Sequence, residues 1–292
     1  MNNQKELQKK MKRQNRQNKN FNIIKASGKL EQFSKKKLYQ SFEHTCLPPK
    51  TCQKIADRVA DEVKEGFKTR DIYRKALGLL KESSHLAAVQ YSLKMALFDL
   101  GPSGHNFEYF VAKFFAEKGF QTKTCQLVQG LLVMHEIDVI GLKAGKKIFV
   151  ECKFHNRLGI KNDIKIALYV KARWDDLKNG PDGKNLNAFY LASNTSFSAD
   201  AMTYASGSGL HLLGINAPKG RSFLDEIMSM RLYPITSLKR MNRNIKNNLL
   251  GQGLILAKDL QSKRNLLIQL GMTEREISEV MSEIELLTSE EK

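Results

Sequence analysis

Two consecutive strand-like segments, HEIDVIGL and KKIFVECKF, carry charged residues at alternate positions among apolar ones. Because successive side chains of a strand point to opposite faces, Glu136 and Asp138 share one face, and Glu151 and Lys153 share one face of the next strand. Two neighbouring strands can therefore bring Asp138, Glu151 and Lys153 together on a polar face above an apolar core. Burying such charges without a partner is costly, so the pattern favours a sheet that holds a functional site.

Two carboxylates beside a lysine suit a hard divalent cation. Magnesium prefers oxygen ligands and is often held by one or two carboxylates together with a substrate phosphate. Such an ion polarises the phosphate and lowers the pKa of a bound water, which Lys153 would orient. The alternative interpretation is a surface salt bridge between adjacent strands, since the spacing alone is a weak signal.

The flanking pattern predicts a mixed α/β sheet covered on both faces, over residues 104–217. A helix over residues 106–118 precedes three strands, and a helix, a strand, a helix and a strand follow. The helix after the strands is predicted to carry four basic residues, which either contact phosphates or are simply solvated. They are Lys161, Lys165, Lys171 and Arg173.

The segments on either side of this sheet are predicted to be mainly helical. Residues 21–101 begin with two short strands joined through Ser27-Gly28, and four helices follow. Residues 218–292 show only helical patterns, and Gly271 separates two of them as in a helix-hairpin-helix; a helical bundle without DNA contact fits this region nearly as well. Residues 1–20 are almost entirely Lys, Arg, Asn and Gln and predict a disordered basic tail, which is either a poorly ordered terminus or a nonspecific nucleic-acid arm.

Charge points to a polyanionic partner. The chain of 292 residues has 48 Lys and Arg against 30 Asp and Glu, a net charge of +18. Nucleic acid is the commonest partner of such a chain, although a basic protein without one is the alternative. No apolar run of about 18 residues and no signal-peptide pattern is present, so we expect no membrane partner. The four cysteines show no C-x-x-C spacing, which favours reduced thiols in the cytoplasm.

The central segment, residues 106–217, contains FEYFVAKFFAEKGF, EIDVIG, FVECKF and NAFYLASNTSFSADAMTYASGSGLHLLG. On these motifs it resembles the Mrr-type branch of the PD-(D/E)XK restriction endonuclease superfamily. The resemblance implies a restriction-endonuclease-like fold and Mg²⁺- or Mn²⁺-dependent hydrolysis of DNA. It also implies that Asp138 and Glu151 bind the metal, that Lys153 is the catalytic lysine, and that Glu108 is an acidic residue of the first helix. Mrr-type members often carry Gln where this chain has Glu151, whereas Glu matches the wider superfamily.

The first segment opens with NIIKASGKLEQFSKKKL and ends with a helix, HLAAVQYSLKMALFDL. On these motifs it resembles an ATP-cone, over residues 22–101. The resemblance implies ATP or dATP as a regulatory ligand, although Ala26 and Ser27 replace the usual Arg-Asp of the hairpin. A helical DNA-binding or dimerisation module that has lost nucleotide binding is the alternative. No G-x-x-x-x-G-K-[ST] occurs, so a P-loop motor is not supported. The residues on nucleotide-binding motif positions are Lys25, Gly28, Phe33, Lys37 and Leu38.

Together these patterns predict a multidomain α+β protein with an ATP-cone, a restriction-endonuclease-like mixed sheet and an all-helical C-terminal region. The predicted activity is that of an Mg²⁺-dependent DNA endonuclease regulated by ATP or dATP, with double-stranded DNA as substrate; a homo-oligomer is compatible with the sequence. The alternative is a catalytically silent, nucleotide-responsive DNA-binding regulator. Comparable ATP-cone regulators carry a zinc ribbon, and the missing C-x-x-C pairs argue against that class.

Overall fold

The structure, a computed structural model, describes residues 21–157 and 159–289. The described residues form two compact units, and the division falls between Tyr91 and Ser92. The tail predicted for residues 1–20 lies outside the described residues. Among the helices that the structure describes, none combines the length and the apolar character needed to cross a membrane.

The first unit is a β-hairpin with helices packed around one core. Strand β1 (Asn22–Ile24) pairs antiparallel with β2 (Leu30–Gln32). Helices α1 (Lys35–Gln40), α2 (Pro49–Glu62) and α3 (Thr69–Ser83) follow, and α4 (His85–Phe98) crosses the division between the units. The predicted hairpin and four helices are confirmed, although α1 is shorter than its sequence pattern suggests. Beyond Gln40 the backbone continues in tighter turns, in which the Phe42 N–H donates to the Tyr39 carbonyl at 2.9 Å.

The second unit is built on a five-stranded mixed sheet. Helix α5 (His105–Glu117) leads into β3 (Gln121–Gln129), β4 (Met134–Lys143) and β5 (Lys146–Lys153). After α6 (Ile164–Asn179) come β7 (Leu186–Ser193), α7 (Ala199–Ser208) and β9 (His211–Leu213). The strand order is β3-β4-β5-β7-β9; the first three strands are antiparallel, and β7 and β9 run parallel to β5. The predicted order of elements is confirmed, and a short parallel pair, β6 (Lys161–Asn162) with β8 (Ser196–Phe197), adds to it.

Helices cover both faces of this sheet, as predicted. Phe189 and Tyr190 are neighbours on β7 and therefore point to opposite faces. Phe189 stacks on Trp174 of α6, with ring centroids 6.3 Å apart. Tyr190 packs against Phe115 of α5, with centroids 5.0 Å apart. Helices α5 and α6 thus lie on opposite sides of the sheet.

The C-terminal segment is helical and packs against α5. Phe223 makes edge-to-face contacts with Phe107, Phe110 and Phe114. The helices are α8 (Phe223–Ser229), α9 (Arg243–Gly251), α10 (Arg264–Gln269) and α11 (Glu274–Thr288), with 3-10 turns at Ile235–Ser237 and Ala257–Leu260. The pattern over residues 237–250 predicts one helix, but α9 begins only at Arg243, and the pattern over residues 254–260 forms a 3-10 turn instead of an α-helix.

Candidate functional site

Asp138 lies where the pairing of β4 and β5 ends. The last paired residues are Val139 and Val150, so the next backbone groups of the two strands are not joined to each other. The backbone N–H of Cys152 instead donates to Oδ2 of Asp138 at 2.6 Å. Because Glu151 precedes Cys152 on β5, Asp138 and Glu151 are neighbours across the two strands, as the alternating pattern predicts.

Glu151 is held by an arginine from the helix that covers this face of the sheet. It forms an ion pair with Arg173 of α6. Arg173 also donates to the backbone carbonyl of Glu136 on β4, and its Nε lies 3.4 Å from Nδ1 of His135. One side chain therefore connects α6 to both strands of the site.

Asp176, one turn further along α6, fixes the turn between β3 and β4. Its Oδ2 is 2.7 Å from Nε2 of His135, and Oδ1 accepts the backbone N–H of Leu132 at 2.8 Å. Although burial opposes it, hydrogen bonding from His135 and the Leu132 and Val133 amides lowers the pKa of Asp176. Gly130 makes this close approach sterically feasible, since a Cβ there would lie 2.0 Å from Oδ2 of Asp176.

The electrostatics of the two carboxylates favour a bound cation. Burial, followed by the negative charge of Glu151, raises the pKa of Asp138 to about 7. Burial also raises the pKa of Glu151, even though Arg173 opposes this effect. Two half-buried oxygen-donor groups whose charged forms are disfavoured by their surroundings fit a hard divalent cation such as Mg²⁺ or Mn²⁺.

Lys153 and Glu108 complete the set of predicted residues. Lys153 is the exposed last residue of β5, its positive charge acts on Glu151, and its carbonyl accepts the Ser193 hydroxyl at 2.7 Å. Glu108, in the first turn of α5, contributes a negative charge that raises the pKa of both Asp138 and Glu151. The fold therefore brings Glu108, Asp138, Glu151 and Lys153 into one electrostatic environment.

In the first unit, the two predicted phosphate-binding lysines converge on a carboxylate. Lys25 pairs with Glu31 at 2.7 Å, and Lys37 pairs with the same carboxylate. Gly28 has φ 80°, which allows a tight turn between the strands. Its backbone N–H donates to the Lys25 carbonyl at 2.9 Å. Phe33 stacks on Phe21 with ring centroids 5.3 Å apart. Leu38 is buried in the core of this unit, so it packs rather than facing a ligand.

Not all the basic residues predicted for the helix after β5 lie on it. Lys161 lies in β6, because Asp163 caps the helix by accepting the Lys165 N–H at 3.0 Å. Lys171 pairs with Asp175 on the same helix. Arg173 is engaged with Glu151, so two of the four residues already have a carboxylate partner. Phosphate contact by this helix stays a prediction.

The helical hairpin at Gly271 has carboxylate side chains where a phosphate would bind. Gly271 has φ 82°, consistent with a tight turn between α10 and α11. However, Thr273 and Glu276 form a capping box at the start of α11, and Glu274 adds a second carboxylate. Carboxylates at a helix N-terminus occupy the position that favours an anion, so this hairpin is poorly suited to phosphate.

Three comparisons place the chain among known proteins. A family model described as a restriction endonuclease, Mrr_cat, matches residues 101–217, and one described as AF1548-like, C-terminal, matches residues 233–288. An uncharacterized protein of Archaeoglobus fulgidus is 33% identical over 174 residues, which is 59% of this chain and 97% of that protein. The crystal structure of the protein of unknown function AF1548 superposes with a TM-score of 0.51 at 31% identity, over 63% of this chain and 97% of that one. The chain belongs to the AF1548-like family.

Within this AF1548-like protein, the Mrr part of the sequence resemblance is confirmed by the restriction endonuclease model. The ATP-cone resemblance stays a prediction. The MspJI restriction endonuclease in complex with a 27-mer oligonucleotide is more distant, with a TM-score of 0.36 and 13% identity over 70% of this chain and 44% of that one.

Sequence reasoning missed the residues that support the carboxylates. Arg173 was predicted at most to contact phosphate, and no role followed from the pattern around His135 and Asp176. Their partners lie 22 and 41 positions away in sequence, respectively. No local spacing could therefore have revealed them.

Proposed function

We propose that this AF1548-like protein is a divalent-metal-dependent deoxyribonuclease that hydrolyses phosphodiester bonds at Asp138, Glu151 and Lys153. The observation that carries the proposal is the position of Asp138 and Glu151 on adjacent strands at the point where their pairing ends. The restriction endonuclease match over residues 101–217 supports the reaction class.

Asp138 and Glu151 would hold the cation, and Glu108 lies close enough to act on both electrostatically. When bound, Mg²⁺ or Mn²⁺ supplies a Lewis acid for the phosphate and lowers the pKa of a coordinated water. Lys153 would orient the attacking water or stabilise the negative charge that develops on the phosphate. Arg173 keeps Glu151 in place through its ion pair.

Double-stranded DNA is the substrate we propose. The net charge of +18 favours a polyanion and would add a large electrostatic component to affinity. Because phosphate contacts carry no sequence information by themselves, binding driven by this charge would be largely sequence-tolerant.

The test compares cleavage of supercoiled plasmid in Mg²⁺ by the full chain and by Asp138→Asn, Glu151→Gln and Lys153→Ala. Each variant should lose on the order of 10²-fold or more in rate, because the three groups act as a unit, while keeping its fold and DNA affinity. Asp175→Asn is the matched control, since this exposed carboxylate pairs with Lys171 on the helix surface. If any two of the three variants cleave at the wild-type rate, the assignment is contradicted. If the wild type binds DNA without cleaving it, the catalytically silent regulator is favoured instead.

We further propose that ATP or dATP binds to residues 21–101 and regulates cleavage. The glycine turn at Gly28 and the convergence of Lys25 and Lys37 support this proposal. Both lysines already pair with Glu31, so a triphosphate would have to compete with that carboxylate for them. Calorimetric titration of the full chain with ATP and with dATP tests the proposal, and absence of heat with both would remove it.

A further inference from the structure

Three potential metal ligands of different chemistry meet at the start of α5. The Nδ1 or Nε2 of His105, a carboxylate oxygen of Glu108 and the thiol of Cys125 all lie within 4.8 Å of one another. His105 and Glu108 are three residues apart on one helix, which places them on the same side of it. Cys125 reaches them from β3.

The backbone at Cys125 departs from regular strand geometry. Its φ is 52°, a conformation that residues other than glycine rarely adopt. The regular pairing of β3 with β4 includes Thr124 and Gln126 but omits Cys125 between them. A strained conformation of this kind persists only where the surrounding structure holds it, and such positions cluster at functional sites.

The distances within the cluster fit a tetrahedral metal site. Nδ1 of His105 lies 3.3 Å from Oε2 of Glu108, and Sγ of Cys125 lies 3.6 Å from the same oxygen. In a tetrahedral zinc site, with bonds of about 2.0 Å to nitrogen and oxygen and about 2.3 Å to sulfur, the corresponding edges are about 3.3 and 3.5 Å. Both contacts are hydrogen bonds in the structure, with the Cys125 thiol donating to Glu108, and their lengths also match the ligand-to-ligand distances around a common tetrahedral ion.

We propose that His105, Glu108 and Cys125 bind a borderline-soft divalent transition metal of the Zn²⁺ class. A thiolate and an imidazole select such a metal, whereas the all-carboxylate pair of Asp138 and Glu151 suits Mg²⁺. Three protein ligands leave one tetrahedral position open for water or substrate. Glu108 is also one of the predicted nuclease residues, but this site goes beyond the proposed nuclease function and does not require that the protein cut DNA.

Cobalt is a suitable probe, because Co²⁺ takes the place of Zn²⁺ in tetrahedral sites and gives a thiolate-to-metal charge-transfer absorption. The metal-free full chain is titrated with Co²⁺ and then with Zn²⁺. We expect one Co²⁺ per chain, a charge-transfer band, and loss of the band when Zn²⁺ displaces the cobalt. Cys125→Ser should abolish the band, and His105→Ala should weaken Co²⁺ binding by on the order of 10-fold or more.

Two controls separate this site from the others. Cys46→Ser removes another exposed thiol and should leave the cobalt band unchanged. Asp138→Asn should also keep the band, even though it is expected to lose Mg²⁺-dependent cleavage, so the two proposals can fail independently. Absence of the band in the wild type, or its persistence in Cys125→Ser with circular dichroism showing a folded protein, would overturn the proposal.

Discussion

Arg173 pairs with the carboxylate of Glu151 on β5 and donates to the backbone carbonyl of Glu136 on β4. A single guanidinium therefore joins the two strands that supply the proposed metal ligands. The Arg173 and Glu151 side chains are only 12% and 18% exposed, so the pair is largely shielded from water.

Arg173→Gln should destabilise the protein by about 1–3 kcal/mol, because it leaves the shielded Glu151 carboxylate without its cation. Adding Glu151→Gln to this variant should recover part of the loss, which a double-mutant cycle in urea unfolding would measure. Lys171→Gln is the matched control on the same helix: its pairing with the exposed Asp175 should contribute less than about 1 kcal/mol. Equal losses in Arg173→Gln and Lys171→Gln would show that the shielded pair has no special role.

The basic N-terminal tail leads to a prediction about salt dependence. Residues 1–20 contain Lys5, Lys9, Lys10, Lys12, Arg13, Arg16 and Lys19. Each phosphate they neutralise steepens the dependence of log affinity on log salt by about 0.9 for duplex DNA. Deleting residues 1–20 should therefore flatten this slope in fluorescence anisotropy titrations. A full-length chain with the order of these twenty residues scrambled should keep the wild-type slope, because its charge is the same. An unchanged slope after deletion would show that the tail does not contribute to DNA binding.

The sequence predicted the features that depend on side-chain periodicity within a single segment of the chain. The polar face shared by Glu151 and Lys153, the apolar positions of Ile137 and Val139 and the order of the main elements all follow from periodicity along single segments. Alternation also indicates that Asp138 and Glu151 can meet, although it does not specify the register that makes them neighbours.

The remaining features depend on contacts between distant parts of the chain. Periodicity predicted a helix through Lys239 and Arg240, but both backbone N–H groups are bound by the buried carboxylate of Glu283, at 2.8 and 2.9 Å. A helix there would direct these amides to preceding carbonyls instead. The cluster of His105, Glu108 and Cys125 likewise could not be predicted from the sequence. Only His105 and Glu108, three residues apart on one helix, have a recognisable spacing.

Glu283 itself gives a stability prediction. Each of its two oxygens accepts one backbone N–H, so Glu283→Gln replaces one acceptor with a donor and should cost about 1–3 kcal/mol. Glu279→Gln, one turn earlier on α11 and 39% exposed, should change stability by less than about 1 kcal/mol. Urea unfolding of both variants measures the difference, and similar values would mean that Glu283 does not hold this loop.

Glu31 predicts a specific response to acid. Hydrogen bonding from Lys25 and Lys37 lowers its pKa from 4.5 to about 2. Since the folded-state pKa lies below the ordinary value, its stabilising contribution is present above about pH 4.5 and is lost as the pH falls toward about 2. The difference in urea midpoint between the wild type and Glu31→Gln should thus narrow as the pH is lowered through this range. Glu82→Gln, which removes an exposed carboxylate 3.9 Å from Arg58, is measured as the control. A Glu31→Gln difference independent of pH would contradict the role of the two lysines.

The pairing of Lys25 and Lys37 with Glu31 also predicts how substitutions should change nucleotide binding. Lys37→Ala removes one of the two cations that would meet a triphosphate and should abolish the effect of ATP on cleavage and on calorimetric heat. Glu31→Gln should tighten ATP binding instead, because it releases Lys25 and Lys37 from a competing carboxylate. Lys36→Ala is the control, as a neighbouring exposed lysine that lies outside the predicted motif positions. A typical coupling free energy of about 1–3 kcal/mol between the nucleotide site and the DNA site would change DNA affinity or the assembly equilibrium about 5- to 150-fold. Cleavage assays and sedimentation across an ATP titration can measure a change of this size. If Lys37→Ala responds to ATP as the wild type and Lys36→Ala do, Lys37 is not part of a nucleotide site.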